Sequence, residues 1–150
     1  MLTLNTSPSA TLVPYRSDVV EFAAHPAVVA TARLHIRGVL RTWELKEFSE
    51  DAEQVVSEAI TNSVEAHQRE HLCEPVRLTL LAGLDTLLII VRDRSDLRTV
   101  LGTPDINDED GRGLLIVNAI AAVWDVKAVP GGGKALRVLL KPHQEGSLTS

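Results

Sequence analysis

Two apolar runs separated by a short turn constrain the fold of this chain more than any other feature. Val76 to Leu81 and Leu87 to Val91 are rich in β-branched and aliphatic residues, and Gly83-Leu84-Asp85 lies between them. This pattern predicts a β-hairpin. The second run is Leu-Leu-Ile-Ile-Val, which is typical of a central strand whose face is covered by helices. The chain must therefore also supply helices that pack on a sheet.

A first helix is predicted to open at His25-Pro26, because proline suits the first helical position. Three arginines on one side of it, Arg33, Arg37 and Arg41, predict a solvated face, with a partner-docking face as the alternative. Apolar residues recur on the other side at spacings of three and four and predict a buried stripe: Val28, Val29, Ala32, Ile36, Val39, Leu40 and Trp43.

The second predicted helix begins at Ser49, which can cap it, and ends near His71. Glu58 and Asn62 stand four residues apart within Ser-Glu-Ala-Ile-Thr-Asn-Ser-Val-Glu-Ala-His, and so lie on one face, one turn apart. A carboxylate placed in this way can take a proton, while a carboxamide oxygen can ligate Mg²⁺. The alternative is an ordinary solvated pair on the helix surface.

Two further stretches are candidates for ligand contact. The LLIIV run is followed by Arg-Asp-Arg-Ser-Asp, in which Asp93 either forms a turn or meets a ligand at the end of the sheet. Downstream, Gly111-Arg112-Gly113-Leu114 begins a third predicted helix. Glycines at a helix start let backbone N–H groups approach a phosphate, although they also make simple tight turns. A second hairpin is predicted from Trp124 to Leu140.

Composition limits the class of protein. A chain of 150 residues that is 45% hydrophobic predicts one domain with a real core. The net charge of −5 argues against a nucleic-acid partner. Cys73 is the only cysteine, so no intrachain disulfide can form, and we expect it to be buried and inert. No apolar run reaches the roughly 18 residues of a membrane span, and no signal peptide is evident, so we expect a cytoplasmic protein.

The order of these motifs resembles the GHKL nucleotide-binding superfamily, and most of all its small stand-alone actinobacterial anti-sigma-factor serine kinases. The resemblance covers about residues 22–140. SEAITNSVEAH is similar to the N-box of the family and VRDRSD to its G1 box. DEDGRGLLIVNAIAAVWDV is similar to the G2 region, and GGGKALRVLL to the closing strand.

The resemblance implies an α/β two-layer sandwich, in which a mixed, mostly antiparallel sheet carries helices on one face. It divides the chain into an N-terminal segment (1–21), an ATP-binding domain (22–140) and a C-terminal tail (141–150). ATP would lie between the sheet and the helices, beneath a lid formed by residues 97–110.

The resemblance also implies roles for particular residues. Glu58 would be the general base, Asn62 would hold Mg²⁺, and Asp93 would accept the adenine amino group. The phosphates would be held by Gly111, Arg112, Gly113 and Leu114. The implied activity is ATP-dependent phosphorylation of a serine on a STAS-type anti-anti-sigma protein. A sigma factor would be the second partner, and a homodimer is expected.

Three departures from the family pattern support a different class of function. Ser95 and Leu97 replace glycines of the G1 box, and Ala135 stands where the family usually has a threonine that supports the adenine-binding aspartate. His67 falls one residue later than the family's histidine, and we assign it no role. The alternative is therefore a catalytically weak or inactive GHKL-fold module that acts by stoichiometric protein capture.

Overall fold

A five-stranded sheet and two long helices form the part of the chain that the structure describes. The computed structural model describes residues 16–96 and 116–143. Residues 116–120 are helical. The other elements are β1 (Arg16–Phe22), α1 (Val28–Thr42), a 3₁₀ helix (Lys46–Phe48), α2 (Ser49–Arg69), β2 (Val76–Ala82), β3 (Leu87–Asp93), β4 (Val123–Ala128) and β5 (Lys134–Leu140).

The strand order in the sheet is β1-β2-β3-β5-β4, and every described pair is antiparallel. The β2–β3 hairpin forms as predicted, and β3 lies at the centre between β2 and β5. The predicted fold class, a sheet layered with helices, is confirmed. The sheet is wholly antiparallel in its described part, so the expected mixed character is not seen there.

The core lies between one face of the sheet and the two helices. Every second residue of β2, β3 and β5 is buried, because alternate side chains of a strand point to the same face. On α1, Ala32, Ile36 and Leu40 are fully buried at a spacing of four, as the predicted stripe requires. Burying each large aliphatic side chain contributes about 1.5–3 kcal/mol, which makes this interface the main source of stability.

The start of α2 differs from its prediction. Ser49 does not cap the helix: the N-cap position is Phe48, and no side chain satisfies the first turn. Instead the Ser49 hydroxyl donates to the Glu53 carboxylate at 3.2 Å. Arg37 of α1 donates to the same carboxylate at 2.6 Å. This hydrogen bond is the main cause that holds the pKa of Glu53 below its usual value, against the opposing effect of burial. One arginine of the row therefore joins the two helices.

Cys73 lies in the connection between α2 and β2 and is exposed, so the expectation of a buried cysteine was wrong. The connection from α2 carries few apolar side chains that could draw it into the core. No helix in the described ranges is both long enough and apolar enough to cross a membrane.

A comparison of two glycines in the β4–β5 turn tests how closely this turn packs. Gly131 and Gly133 have similar positive φ values, +91° and +88°. A Cβ on Gly131 would meet nothing within 4 Å, whereas one on Gly133 would clash with the Asp93 carbonyl oxygen and lie 2.9 Å from the Arg94 Cα. We expect Gly131→Ala to cost about 1–2 kcal/mol from φ alone. Gly133→Ala should cost a further 1–3 kcal/mol or so from overpacking.

Urea unfolding of the two variants gives both free energies. Equal losses for the two substitutions would contradict the close approach of the turn to the end of β3.

Candidate functional site

Asp93, the predicted adenine contact, lies at the last position of β3 with only 2% of its surface exposed. Its carboxylate accepts hydrogen bonds from three residues. The Ser63 hydroxyl of α2 donates to Oδ2 at 2.6 Å. The backbone N–H and the hydroxyl of Ser95 donate to Oδ1 at 2.9 and 2.7 Å. The Lys134 ammonium donates to both oxygens at 3.0 and 2.9 Å. The Asp93 side chain thus forms a buried junction of hydrogen bonds that joins β3 to α2 and β5. It is also the candidate contact for a ligand.

The sheet register explains why Lys134 reaches Asp93. The two residues are directly paired between β3 and β5, and both side chains are buried on the helix-covered face. Ala135 is paired with Arg92 instead, and strand alternation places it on the other face. The expectation that Ala135 removes a hydroxyl from the aspartate was therefore wrong, because Lys134 occupies the position that faces it.

Ser95, which replaces a glycine of the family's G1 box, supports the Asp93 carboxylate and does not disrupt its surroundings. It is fully buried, and its N–H bonds the aspartate two residues earlier, as in an Asx turn. Its hydroxyl accepts a hydrogen bond from Lys134 while donating to Asp93. The added side chain therefore completes the hydrogen bonding around the carboxylate.

The ionisation of Asp93 follows from these contacts. Burial by itself raises the pKa of a carboxyl, but here the nearby Lys134 charge and the hydrogen bonds from Ser63, Ser95 and Lys134 outweigh it. The pKa of Asp93 consequently lies below its usual value. The ion pair is almost dry, with 1% of the aspartate and 6% of the lysine side chain exposed.

His67 contributes to the same region, although sequence analysis gave it no role. It is fully buried on α2, one turn after Ser63, and its Nε2 accepts the backbone N–H of Arg94 at 2.9 Å. A neutral ring that accepts at Nε2 carries its hydrogen on Nδ1, which has no partner among the described residues. The i, i+4 spacing of Ser63 and His67 is the signal that could have indicated a shared contact with the end of β3.

The structure places Glu58 and Asn62 on α2 close to this junction. Asn62 directly precedes Ser63, and Glu58 lies one turn earlier; both are partly exposed. Neither makes a side-chain hydrogen bond or ion pair within the described ranges. Glu58 lines a groove of about 680 Å³ between α1 and α2, together with Arg33 and Lys46. Asp93 does not line this groove, so the structure does not bring Glu58 and Asp93 into one described cavity.

The predicted phosphate-binding residues 111–114, the predicted lid 97–110 and Leu97 lie outside the described residues.

The partly exposed carboxamide of Asn62 has the chemistry to ligate the Mg²⁺ of a nucleotide. Mg²⁺ keeps several waters and takes one or two protein oxygens beside phosphate oxygens, so the single carboxamide of Asn62 is a suitable ligand. Within the described residues no group of three or more His, Cys, Asp or Glu side chains is arranged for a metal ion. The Asp93 carboxylate does not offer a free acceptor to an adenine amino group, because both of its oxygens already accept hydrogen bonds from the protein.

The helix–strand link can be tested by replacing Ser63. Ser63→Ala removes a hydrogen bond to a buried charged group, and we expect the free energy of unfolding to fall by about 1.5–3 kcal/mol. Ser57→Ala on the same helix is the matched control and should change it by less than about 0.5 kcal/mol. Chemical denaturation measures both, and similar values for the two variants would argue against the link.

The Asp93 ion pair gives stability a characteristic pH dependence. Asp93→Asn leaves the Lys134 charge buried without a counter-charge, so at pH 7 we expect a loss of about 3–5 kcal/mol. A carboxyl whose pKa is lowered by folding stabilises the protein above its unfolded pKa of about 4, and this contribution is lost as the pH falls through the folded value.

The gap in unfolding free energy between wild type and Asp93→Asn should therefore be constant near neutral pH and shrink below about pH 4. Urea unfolding at several pH values measures it. A gap that does not change with acidification would show that Asp93 is not a charged partner in the folded protein.

The family model described as the histidine kinase-like ATPase domain matches residues 22–139, from the end of β1 to β5. No curated protein matches the chain.

Proposed function

Because the chain belongs to the histidine kinase-like ATPase domain family, we propose that it is an ATP-dependent serine-protein kinase with a regulatory role in transcription. Family membership implies ATP binding within a GHKL-type domain. We further propose that the chain phosphorylates a STAS-type anti-anti-sigma protein and holds a sigma factor inactive by binding it. The motif order from SEAITNSVEAH to GGGKALRVLL supports this choice among the activities of the superfamily.

One structural observation carries the proposal: Ser63 of α2 is hydrogen-bonded to Asp93 at the end of β3. This bond fixes the helix that carries Glu58 and Asn62 against the end of β3. That strand end carries Asp93, the proposed contact for adenine. Phosphoryl transfer depends on such positioning and on charge neutralisation more than on covalent chemistry by the protein.

Glu58 and Asn62 of α2 have separate roles in the proposed reaction. Glu58 accepts the proton of the substrate serine hydroxyl, and its partly exposed carboxylate is accessible to a protein substrate. Asn62 presents its carboxamide oxygen to Mg²⁺. When bound, Mg·ATP supplies the γ-phosphoryl group, with ADP as the leaving group. Gly111, Arg112, Gly113 and Leu114 remain the predicted phosphate contacts.

The exposed edge of the sheet supports the proposed homodimer. β1 lies at one edge of the sheet, and 59% of Val19 on this strand is exposed. An edge strand offers unpaired backbone groups to another chain. This supports the expected homodimer through the N-terminal strand and α1, which the mass in solution would test.

A second candidate function, a capture module without catalysis, is favoured by the state of Asp93. All the described contacts of its carboxylate are internal, so nothing in them requires a nucleotide. Such a module would bind its protein partner with the same affinity in the presence and absence of Mg·ATP. Phosphotransfer, or partner binding that depends on nucleotide, would count against it.

The kinase proposal predicts the effect of Glu58→Gln. Loss of a general base should slow transfer of labelled γ-phosphate to a STAS-type partner by roughly 10²- to 10⁴-fold. ATP binding, measured by isothermal titration with Mg²⁺, should change little. Glu50→Gln, an exposed acid in the first turn of the same helix, is the matched control and should retain activity. Full activity of Glu58→Gln would exclude this residue as the base.

A further inference from the structure

The polar side chains around Asp93 satisfy their hydrogen bonds with one another. The carboxylate offers about four lone-pair directions and already accepts five hydrogen bonds from Ser63, Ser95 and Lys134. The Lys134 ammonium has three N–H donors. These are directed at the two carboxylate oxygens and at the Ser95 hydroxyl. Neither charged group has hydrogen-bonding capacity left for a ligand.

An amino group of a nucleotide base can reach Asp93 only if one of these donors leaves. The Ser63 hydroxyl is held on a buried helix face, and the Ser95 donors lie two residues along the same turn. Lys134 differs from both, because its charge is at the end of a flexible four-carbon stem. It is also the one residue that donates to both carboxylate oxygens, so its departure removes one hydrogen bond from each of them.

We propose that Lys134 is an autoinhibitory latch: it holds the base-recognition carboxylate of Asp93 in a self-paired, closed state, and a nucleotide binds only when the ammonium leaves. The proposal rests on the proposed ATP binding and adds a regulatory step to it. The apparent affinity for nucleotide is then the intrinsic affinity multiplied by the fraction of molecules in which Asp93 is free. A closed ion pair with so little exposure makes that fraction small.

The latch predicts that an uncharged replacement of Lys134 raises the affinity for ATP and that a charged replacement does not. Thr at this position faces Asp93 in the same register, carries no charge and donates at most one hydrogen bond where Lys134 donates two, so an adenine amino group competes with a weaker donor. We therefore expect Lys134→Thr to bind ATP at least about tenfold more tightly than wild type. Lys134→Arg keeps a cation on the carboxylate and should not gain affinity. Asp93→Asn combined with Lys134→Thr should lose the gain, because the carboxylate acceptor is gone.

Isothermal titration with Mg·ATP, and separately with adenosine, measures these affinities. Adenosine carries the base without phosphates, so a gain for both ligands in Lys134→Thr supports the latch. Equal affinities of wild type and Lys134→Thr overturn the latch and leave ATP binding intact. Weaker ATP binding by Lys134→Thr also overturns it, because Lys134 would then assist the ligand. Binding by no folded form at millimolar ATP overturns both the latch and the proposed ATP binding.

A second measurement uses wild-type protein without nucleotide and does not depend on a variant that folds. The chain has three other lysines, Lys46, Lys127 and Lys141, all exposed. In acylation followed by mass spectrometry, Lys134 should react at least about tenfold more slowly than these internal controls. Labelling of Lys134 as fast as Lys127 would show an open latch and overturn the proposal. If Lys134→Thr does not fold, Lys134→Met gives the same comparison in the titration.

Discussion

The buried carboxylate of Asp93 is the point at which β3, β5 and α2 meet. A carboxylate can be buried only when opposite charge and hydrogen bonds replace its water, and here Lys134 of β5 and Ser63 of α2 provide them. The same requirement fixes the strand register and holds the middle of α2 against the sheet. The positions of Asn62 and Glu58 follow from it, because they lie on the helix that this contact holds.

Much of the fold could be predicted from local patterns. The composition of the two apolar runs and the short turn between them identify the β2–β3 hairpin, and the helical stripe of Ile36 and Leu40 identifies the buried face of α1. Asp93 could be selected because it stands at the end of a strand whose first five residues are all apolar. Each of these patterns is formed by residues of a single helix or strand, and their spacing follows directly from the repeat of its backbone.

The surroundings of Asp93 could not be predicted in this way. Lys134 is 41 residues away in the chain, and its contact depends on β5 lying beside β3, which no local pattern specifies. The family pattern placed Ala135 beside Asp93, one residue away from Lys134. That single residue matters because adjacent side chains of a strand point to opposite faces of the sheet. The contact of His67 could not be predicted for a related reason, because its partner, the backbone N–H of Arg94, follows a strand that helical periodicity does not locate.

The backbone of Gly133 lies so close to Asp93 and Arg94 that no Cβ fits between them. This has a consequence for how the protein can evolve. Every single-nucleotide missense change of a glycine codon introduces a side chain, so this position has no neutral neighbour in sequence space. Gly131, in the same turn but open to solvent, has steric freedom that Gly133 lacks. Variation in the turn should therefore accumulate at its tip, while the residue beside the carboxylate changes only together with a compensating shift of the strand end.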